Sequence, residues 1–321
     1  MKAIVVHEFG GPDVLRYEDR PDPVPGPGEA LVEIRAIGVN YTDIYSRSGL
    51  YRPALPWIPG SEAAGVVAAV GDGVTEVRPG DRVAWASAPG TYAERAVVPA
   101  WRLVRLPEDV SFETAAAAML QGMTAHYLVS STYPVAAGDR VLVHAGAGGV
   151  GLLLTQLAKA RGATVFTTVS TEEKARLSRE AGADVVIRYT EEDFAARVER
   201  ETDGEGVAVV YDSVGAATFA GSLACLAPRG YLVLFGQSSG PVPALNPGDF
   251  AARSLFFTRP SLVHYTRTRA ELLERAQAVL DAIRAGSLKL RLFATLPLAE
   301  AAEAHRLLEG RRTTGKLLLT P

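Results

Sequence analysis

The chain has 321 residues, which at about 150 residues per domain points to two domains. Apolar residues make up 48% and charged residues 21%, an ordinary globular composition that excludes a disordered chain. Lys and Arg number 33 against 36 Asp and Glu, and a net charge of -3 leaves no global footprint for nucleic acid or an anionic membrane surface. The single cysteine, Cys225, excludes an internal disulfide and a multi-cysteine zinc centre, and fits a reducing compartment such as the cytoplasm.

The N-terminus carries no signal-peptide core. Residues 1 to about 120 read as mostly strand. Residues 30–37 alternate with period two, and short runs at 65–71 and 81–86 are closed by Gly and Pro. Proline recurs through 21–28, so that stretch is neither helix nor central strand. Many short strands with such turns suggest a small barrel or sandwich. The pattern changes at Ser111, an N-cap candidate followed by strong helix formers. From about 123 to 260, strands at 141–145, 164–169, 184–187, 207–211 and 231–235 alternate with helices at 149–161, 171–181, 191–201 and 216–226. Uncharged strand cores in this alternation predict a parallel sheet covered on both faces. The apolar run at 141–158 is broken by glycines and reads as strand, turn and helix, not as a membrane span. Helices at 269–285 and 298–309 precede a final apolar strand from Lys316, expected to return to the N-terminal domain.

The most informative stretch is Gly146-Ala147-Gly148-Gly149-Val150-Gly151, a G-x-G-x-x-G between a strand and a helix. There the early glycines permit a tight turn and close approach of backbone N–H groups to a pyrophosphate. Gly151 lets the helix pack against the strand, and the helix N-terminus favours the phosphate charge. A site for NAD usually has an acid at the end of the second strand. Here that strand ends Thr167-Thr168-Val169-Ser170-Thr171, with Lys174 one helical turn on. Hydroxyls and a lysine suit a 2′-phosphate, which favours NADPH over NADH. Glu172 and Glu173 adjoin the site, but helix geometry can turn them away.

Other chemistries are missing. No histidine pair has metal-ligand spacing, and His7, His126, His144, His264 and His305 read as core, strand or surface residues. There is no G-x-S-x-G elbow and no Cys-His pair. Catalysis then rests on a cofactor, with the protein supplying position and electrostatics.

The chain resembles the quinone oxidoreductase (zeta-crystallin) branch of the medium-chain dehydrogenase/reductase superfamily over essentially its whole length. The cofactor-loop signature at 138–151, continuing through Gln156 to Lys159, carries the likeness. So do Gly38-Val39-Asn40-Tyr41-Thr42-Asp43, Arg47-Ser48-Gly49-Leu50-Tyr51, Gly60-Ser61-Glu62-Ala63-Ala64-Gly65, Val210-Tyr211-Asp212-Ser213-Val214-Gly215 and Phe257-Thr258-Arg259-Pro260-Ser261-Leu262. The resemblance implies an α/β chain: a Rossmann doubly wound parallel sheet plus a GroES-like β-barrel domain completed by the C-terminal segment. It implies boundaries at 1–122, 123–262 and 263–321, an active site in the cleft between the domains, and a homodimer joined through residues 255–258 as edge strand.

Zinc-dependent members carry a G-H-E motif and a cysteine ligand near residue 40. Here the first reads Gly60-Ser61-Glu62 and Asn40 stands in the region of the second, so no adequate ligand set remains and no metal is expected. By similarity, Lys174, Tyr189 and Arg311 surround the 2′-phosphate of NADPH. Thr124, Gly148, Gly149, Val150, Gly151, Ser170, Phe235, Gly236, Gln237 and Ser238 match other cofactor contacts. Asn40, Asp43, Tyr45 and Tyr51 match the region of the nicotinamide. Tyr45 and Tyr51 would wall a planar ring, Asn40 would hydrogen-bond a substrate carbonyl, and Asp43 would orient Asn40 or its loop. The expected activity is NADPH-dependent, zinc-independent reduction of a quinone. The alternative is reduction of activated C=C bonds in enals, enones or enoyl thioesters, although Arg47 and Arg52 are too few for a thioester channel. Binding of RNA without turnover is disfavoured by the charge.

Overall fold

The computed structural model describes residues 1–321 and divides the chain into two compact units, Met1–Met123 with Thr266–Pro321, and Thr124–Tyr265. In the first unit, β1 (Lys2–Val6) and β2 (Leu15–Asp19) form an antiparallel hairpin. The eleven-residue β3 (Glu29–Val39) is the central strand, and its alternation sends Ala30, Val32, Ile34 and Ala36 inward. A helix absent from the sequence reading follows, α1 (Tyr41–Arg47). Its signal was a capping box: Asn40 is the N-cap, and the N3 residue Asp43 accepts from the Asn40 backbone N–H at 2.8 Å. Then come β4 (Glu62–Val70), β5 (Arg82–Ala86), β6 (Arg95–Pro99) and β7 (Val104–Arg105). α2 (Phe112–Tyr127) starts where Ser111 Oγ accepts the Thr114 N–H at 3.1 Å.

The second unit winds β8 (Arg140–Val143), α3 (Gly149–Ala160), β9 (Thr164–Val169), α4 (Glu172–Glu180), β10 (Val185–Arg188), α5 (Phe194–Glu201), β11 (Val207–Asp212), α6 (Phe219–Ala224), β12 (Leu226–Leu234), α7 (Gly248–Ala251), β13 (Phe256–Thr258) and α8 (Leu262–Tyr265). All six strands are parallel, in the order β10-β9-β8-β11-β12-β13. Leu142, Phe166, Ile187, Val210 and Leu232, one from each of β8, β9, β10, β11 and β12, meet in one core. Two helices are shorter than the sequence pattern. Asp193 caps α5 through the Ala196 N–H, so residues 191–193 lie outside it. The Asp212 carboxylate takes the N–H groups of Val214 and Gly215 and the Thr218 hydroxyl, holding 212–218 as a turn ahead of α6.

The chain then returns to the first unit as α9 (Arg269–Arg284), β14 (Leu292–Pro297), α10 (Ala301–Glu309) and β15 (Lys316–Thr320). β15 pairs antiparallel with β3, Leu318 opposite Gly38, and parallel with β14. The seven-stranded sheet runs β14-β15-β3-β4-β5-β7, with β6 also on β3. The tail thus completes the N-terminal sheet, over a core that includes Trp85, Tyr92, Leu103 and Leu319.

Close strand crossing makes Gly65 obligatory: a Cβ there would lie 2.0 Å from the Glu33 carbonyl oxygen. Gly65→Ala is expected to cost about 3 kcal/mol in urea unfolding. Gly11→Ala has nothing within 4 Å to meet and keeps φ at -70°, so it should stay within about 0.5 kcal/mol of the parent.

Candidate active site

In the second unit, the strand order reverses between β8 and β11. Ligands of open parallel sheets bind at that point, beyond the carboxyl ends of the strands. Three of the four glycines of the β8 turn have identifiable reasons. A Cβ on Gly146 would lie 2.6 Å from Thr167 Cβ, and one on Gly151 would lie 2.2 Å from the Ala145 carbonyl oxygen. Packing alone demands both. A Cβ on Gly148 would meet only Ala145, at 3.2 Å, so here the missing side chain mainly leaves room for an incoming group. Gly148 is the N-cap of α3 with no side-chain cap, and the first turn carries no acid. Its N–H groups therefore remain for an anion, and the residues fit a pyrophosphate.

At the end of β9, Lys174 Nζ lies 3.4 Å from Ser170 Oγ, and Thr171 caps α4 through the Lys174 N–H. Glu172 is turned away into ion pairs with Arg179 (2.8 Å) and Arg188 (3.6 Å), and these hold its carboxyl below the usual range. Tyr189 is exposed just past β10, tied by its N–H to the Val169 carbonyl. Ser170, Lys174 and Tyr189 are thus brought together with no free carboxylate from Glu172. The loop from Phe235 to Ser238 packs on the β11 turn, where Phe235 and Gly236 N–H groups donate to the Asp212 carbonyl. Thr124, buried, opens the unit in α2. Arg311 belongs to the first unit, in the turn after α10 with φ +55°.

Beneath these loops is a network that sequence reasoning missed. His144 Nε2 lies 3.0 Å from Ser222 Oγ and its Nδ1 lies 2.8 Å from Thr168 Oγ1. The Ser222 hydroxyl donates to Asp212 Oδ2 at 2.9 Å, so Nε2 must carry the ring proton and Nδ1 must accept from Thr168. Burial lowers the His144 pKa, consistent with this neutral form. The chain of bonds ties together the ends of β8, β9 and β11.

In the first unit, α1 is fastened at both ends. Asn40 Nδ2 donates to Glu62 Oε2 (2.8 Å) and the Gly38 carbonyl (3.2 Å), while Asn40 Oδ1 accepts from Lys316 Nζ (2.8 Å) and Gln121 Nε2 (3.5 Å). An ammonium only donates and a carboxylate only accepts, so this amide orientation is forced. Both Asn40 donor hydrogens are taken up inside the protein. The hydrogen bond expected from Asn40 to a substrate carbonyl is therefore not available from this geometry. Lys316 and Glu62, both fully buried, form an ion pair at 2.5 Å, and Glu62 Oε1 accepts the Leu120 N–H of α2 at 2.5 Å.

Asp43 faces Tyr92, whose hydroxyl donates to Asp43 Oδ2 (3.1 Å) and lies 3.1 Å from His305 Nε2. Burial pushes the Asp43 carboxyl up to about 7, against the lowering pull of its hydrogen bonds and of Lys316. Burial, helped by Arg47, brings His305 down to about 3, so its imidazole is neutral. Arg47 is buried and grips Glu309 with both terminal nitrogens (2.5 and 3.1 Å), which removes it as a cation for a substrate channel. Tyr45 is buried between Tyr41 and Tyr51, with ring centroids 5.4 Å away on either side, and Tyr51 is 41% exposed. Tyr51, not Tyr45, is the more exposed of the two. Lys316, Glu62, Tyr92 and His305 were not among the sequence candidates. The usable signal was Lys316 itself, a lysine opening an otherwise apolar strand, which needs a buried partner. No group of three or more His, Cys, Asp or Glu is arranged to hold a metal ion.

Two family profiles match: alcohol dehydrogenase GroES-like domain over residues 26–108, and zinc-binding dehydrogenase over 149–284. A quinone oxidoreductase of Pseudomonas aeruginosa is 48% identical, covering 100% of this chain and 99% of its own. A Burkholderia 2-haloacrylate reductase is 43% identical over 99% and 98%. The solved Escherichia coli quinone oxidoreductase, complexed with NADPH, superposes with a TM-score of 0.97 at 44% identity, covering 100% of both chains. Whole-length identity at this level, on a two-unit fold whose expected metal positions hold Asn40 and Ser61, shows that the chain belongs to the zinc-independent quinone oxidoreductase family of the medium-chain dehydrogenase/reductase superfamily.

Proposed function

We propose that this protein is an NADPH-dependent, zinc-independent quinone reductase. The observation that carries the cofactor choice is the end of β9, where Ser170 and Lys174 stand together and Glu172 is neutralised by arginines. The quinone choice comes from the end-to-end relatives. The α3 N-terminus and the space at Gly148 would hold the pyrophosphate, and Ser170, Lys174 and Tyr189 the 2′-phosphate. Thr124 and the loop from Phe235 to Ser238 are assigned to the rest of the cofactor. Bound NADPH supplies the reducing equivalents. The chain's own part is to position the acceptor. Tyr51 offers an aromatic face to a planar ring, backed by Tyr45 and Tyr41. Asp43 and Asn40 hold α1 in place.

The second reading, reduction of an activated C=C bond, is favoured by one fact, the 43% identity to a 2-haloacrylate reductase. We also propose a homodimer in the cytoplasm. β13 has no strand on its outer side, and its exposed Phe256 stacks on Tyr231 at 4.5 Å, an apolar edge suited to pairing with a second copy. The cytoplasm keeps the unpaired Cys225 thiol reduced.

NADPH oxidation followed at 340 nm with an ortho-quinone and, in parallel, a 2-enal decides the function. Turnover of the quinone supports the reading, and turnover of the enal alone replaces it. Lys174→Ala should raise the KM for NADPH roughly tenfold or more and leave that for NADH nearly unchanged, since a charge-assisted contact to phosphate is worth about 1.5–3 kcal/mol. An equal effect on both cofactors would remove Lys174 from the 2′-phosphate site.

A second expectation concerns pH. The unfolded chain releases the Asp43 proton near 3.8 and the native protein near 7. Between these values the native state binds more protons, so stability is greatest below about 4 for this group and falls as pH rises through about 7. Urea unfolding between pH 5 and pH 8 should show a loss on the order of a few kcal/mol. Asp43→Asn should flatten that slope. An unchanged slope would mean that Asp43 does not titrate there.

A further inference from the structure

We propose that Lys316 is a positioning residue for the reaction: paired with Glu62, its ammonium fixes the Asn40 amide and, through it, the helix that carries the aromatic wall. The inference rests on the functional reading above. Lys316 sits on the last strand of the chain, beside the register pair of Leu317 and Val39. Its side chain crosses to β3 and β4 and reaches Asn40 Oδ1 at 2.8 Å and Glu62 Oε2 at 2.5 Å. The surroundings are built for that carboxylate. A Cβ on Gly38 would lie 2.3 Å from Glu62 Oε2 and 2.6 Å from the Ala116 carbonyl, so only glycine leaves room. The Leu120 N–H of α2 binds the other oxygen, Glu62 Oε1.

A side chain held by an ammonium on its oxygen and a carboxylate on its nitrogen has one orientation and one position. Asn40 is the N-cap of α1, so this also sets where α1 begins. Tyr41 and Tyr45 lie on that helix, and the Tyr51 N–H donates to the Tyr45 carbonyl at 2.9 Å, which carries the constraint to the exposed ring. A buried ion pair is a poor source of net stability but a strict source of geometry. Lys316 touches no reacting group. It acts through Asn40, and its loss should fall on the acceptor side of the reaction and spare cofactor binding.

The test compares the parent protein, Lys316→Met, the neutral pair Glu62→Gln with Lys316→Met, and Asn40→Ser. Each is followed by thermal unfolding, by NADPH titration using the fluorescence of the nicotinamide, and by steady-state turnover with 9,10-phenanthrenequinone. Lys316→Met leaves a buried carboxylate unpaired and should lower Tm by roughly 5–10 °C. The neutral pair should recover most of that shift, since no lone charge remains. Its kcat/KM for the quinone should stay at least about tenfold below the parent while its NADPH affinity stays within about twofold. Asn40→Ser keeps an N-cap side chain and the ion pair but cannot reach Glu62 and Lys316 together. It should show the same loss on the quinone with Tm near the parent. This holds the inference open to refutation even if the neutral pair fails to fold. Parental turnover in Asn40→Ser, or in a folded neutral pair, overturns it. So does a loss of NADPH affinity that matches the loss of turnover. A parent protein that binds NADPH but reduces no quinone sinks the functional reading instead, and the same series is then read with a 2-haloacrylate as acceptor.

Discussion

The first unit is organised around one constraint: the Glu62 carboxylate is wholly enclosed and must be answered from all sides. An isolated charge in such a place would cost several kcal/mol. The answer comes from three separated parts of the chain. Lys316 arrives on the last strand, the Leu120 N–H from the helix that leaves the barrel sheet, and the Asn40 amide from the end of β3. Each requirement propagates. Gly38 must lack a side chain, and β15 must pair with β3 in its observed register. A slip of one residue would turn Lys316 to the opposite face and leave the carboxylate alone. The final strand therefore does more than fill a place between β14 and β3.

The second unit solves a related problem with neutral groups. Three strands end where the nucleotide loops begin, and those loops need a fixed base. His144, Thr168, Ser222 and Asp212 supply it through a run of bonds in which every proton is assigned by the Asp212 carboxylate at one end. Asp212 also gathers Val214, Gly215 and Thr218, which shapes the turn on which Phe235 and Gly236 rest. The glycines then finish the surface: Gly146 and Gly151 are demanded by contact within the protein, and Gly148 is the one whose emptiness faces outward.

Much of this was legible in the sequence, and the limits are physical. The parallel sheet announced itself because strands covered on both faces carry long uncharged runs, as in Val141, Leu142 and Val143. The cofactor turn was legible because its glycines answer steric demands that only glycine meets. The return of β15 was legible as a lone apolar strand. By contrast, α1 has seven residues, too few for helical periodicity to emerge, and only its capping box could have marked it. The polar clusters were illegible for another reason. Glu62 and Lys316 are 254 residues apart, and Tyr92 and His305 are 213 apart. No local pattern links such pairs, so His305 read as one more scattered histidine, and Asn40 read as a donor to substrate when its donors face inward. Arg47, weighed in the sequence only as one of two cations for a thioester channel, is claimed by Glu309.

The distribution of charge around α1 bears on the chemistry. Glu62 is matched by Lys316, and Glu309 by Arg47, so Asp43 is the one carboxyl in this group without a cation in contact, and burial raises it. The polar atoms near the helix are then occupied in fixing it. Asn40 has no spare donor, and Tyr92 is held between Asp43 and His305. A substrate that needed a strong acid poised on its oxygen, or a metal to polarise it, would find neither among these groups. A quinone needs little of either, because charge arriving on it spreads over the ring and its oxygens can take protons from water. What it does need is a flat wall at a fixed place. A helix pinned at Asn40 by one ion pair and at Arg47 by another, carrying Tyr41 and Tyr45 with Tyr51 braced against Tyr45, is suited to form that wall. The same polar network that would be wasteful as an acid catalyst is well suited to holding a rigid aromatic surface against an acceptor that brings its own reactivity.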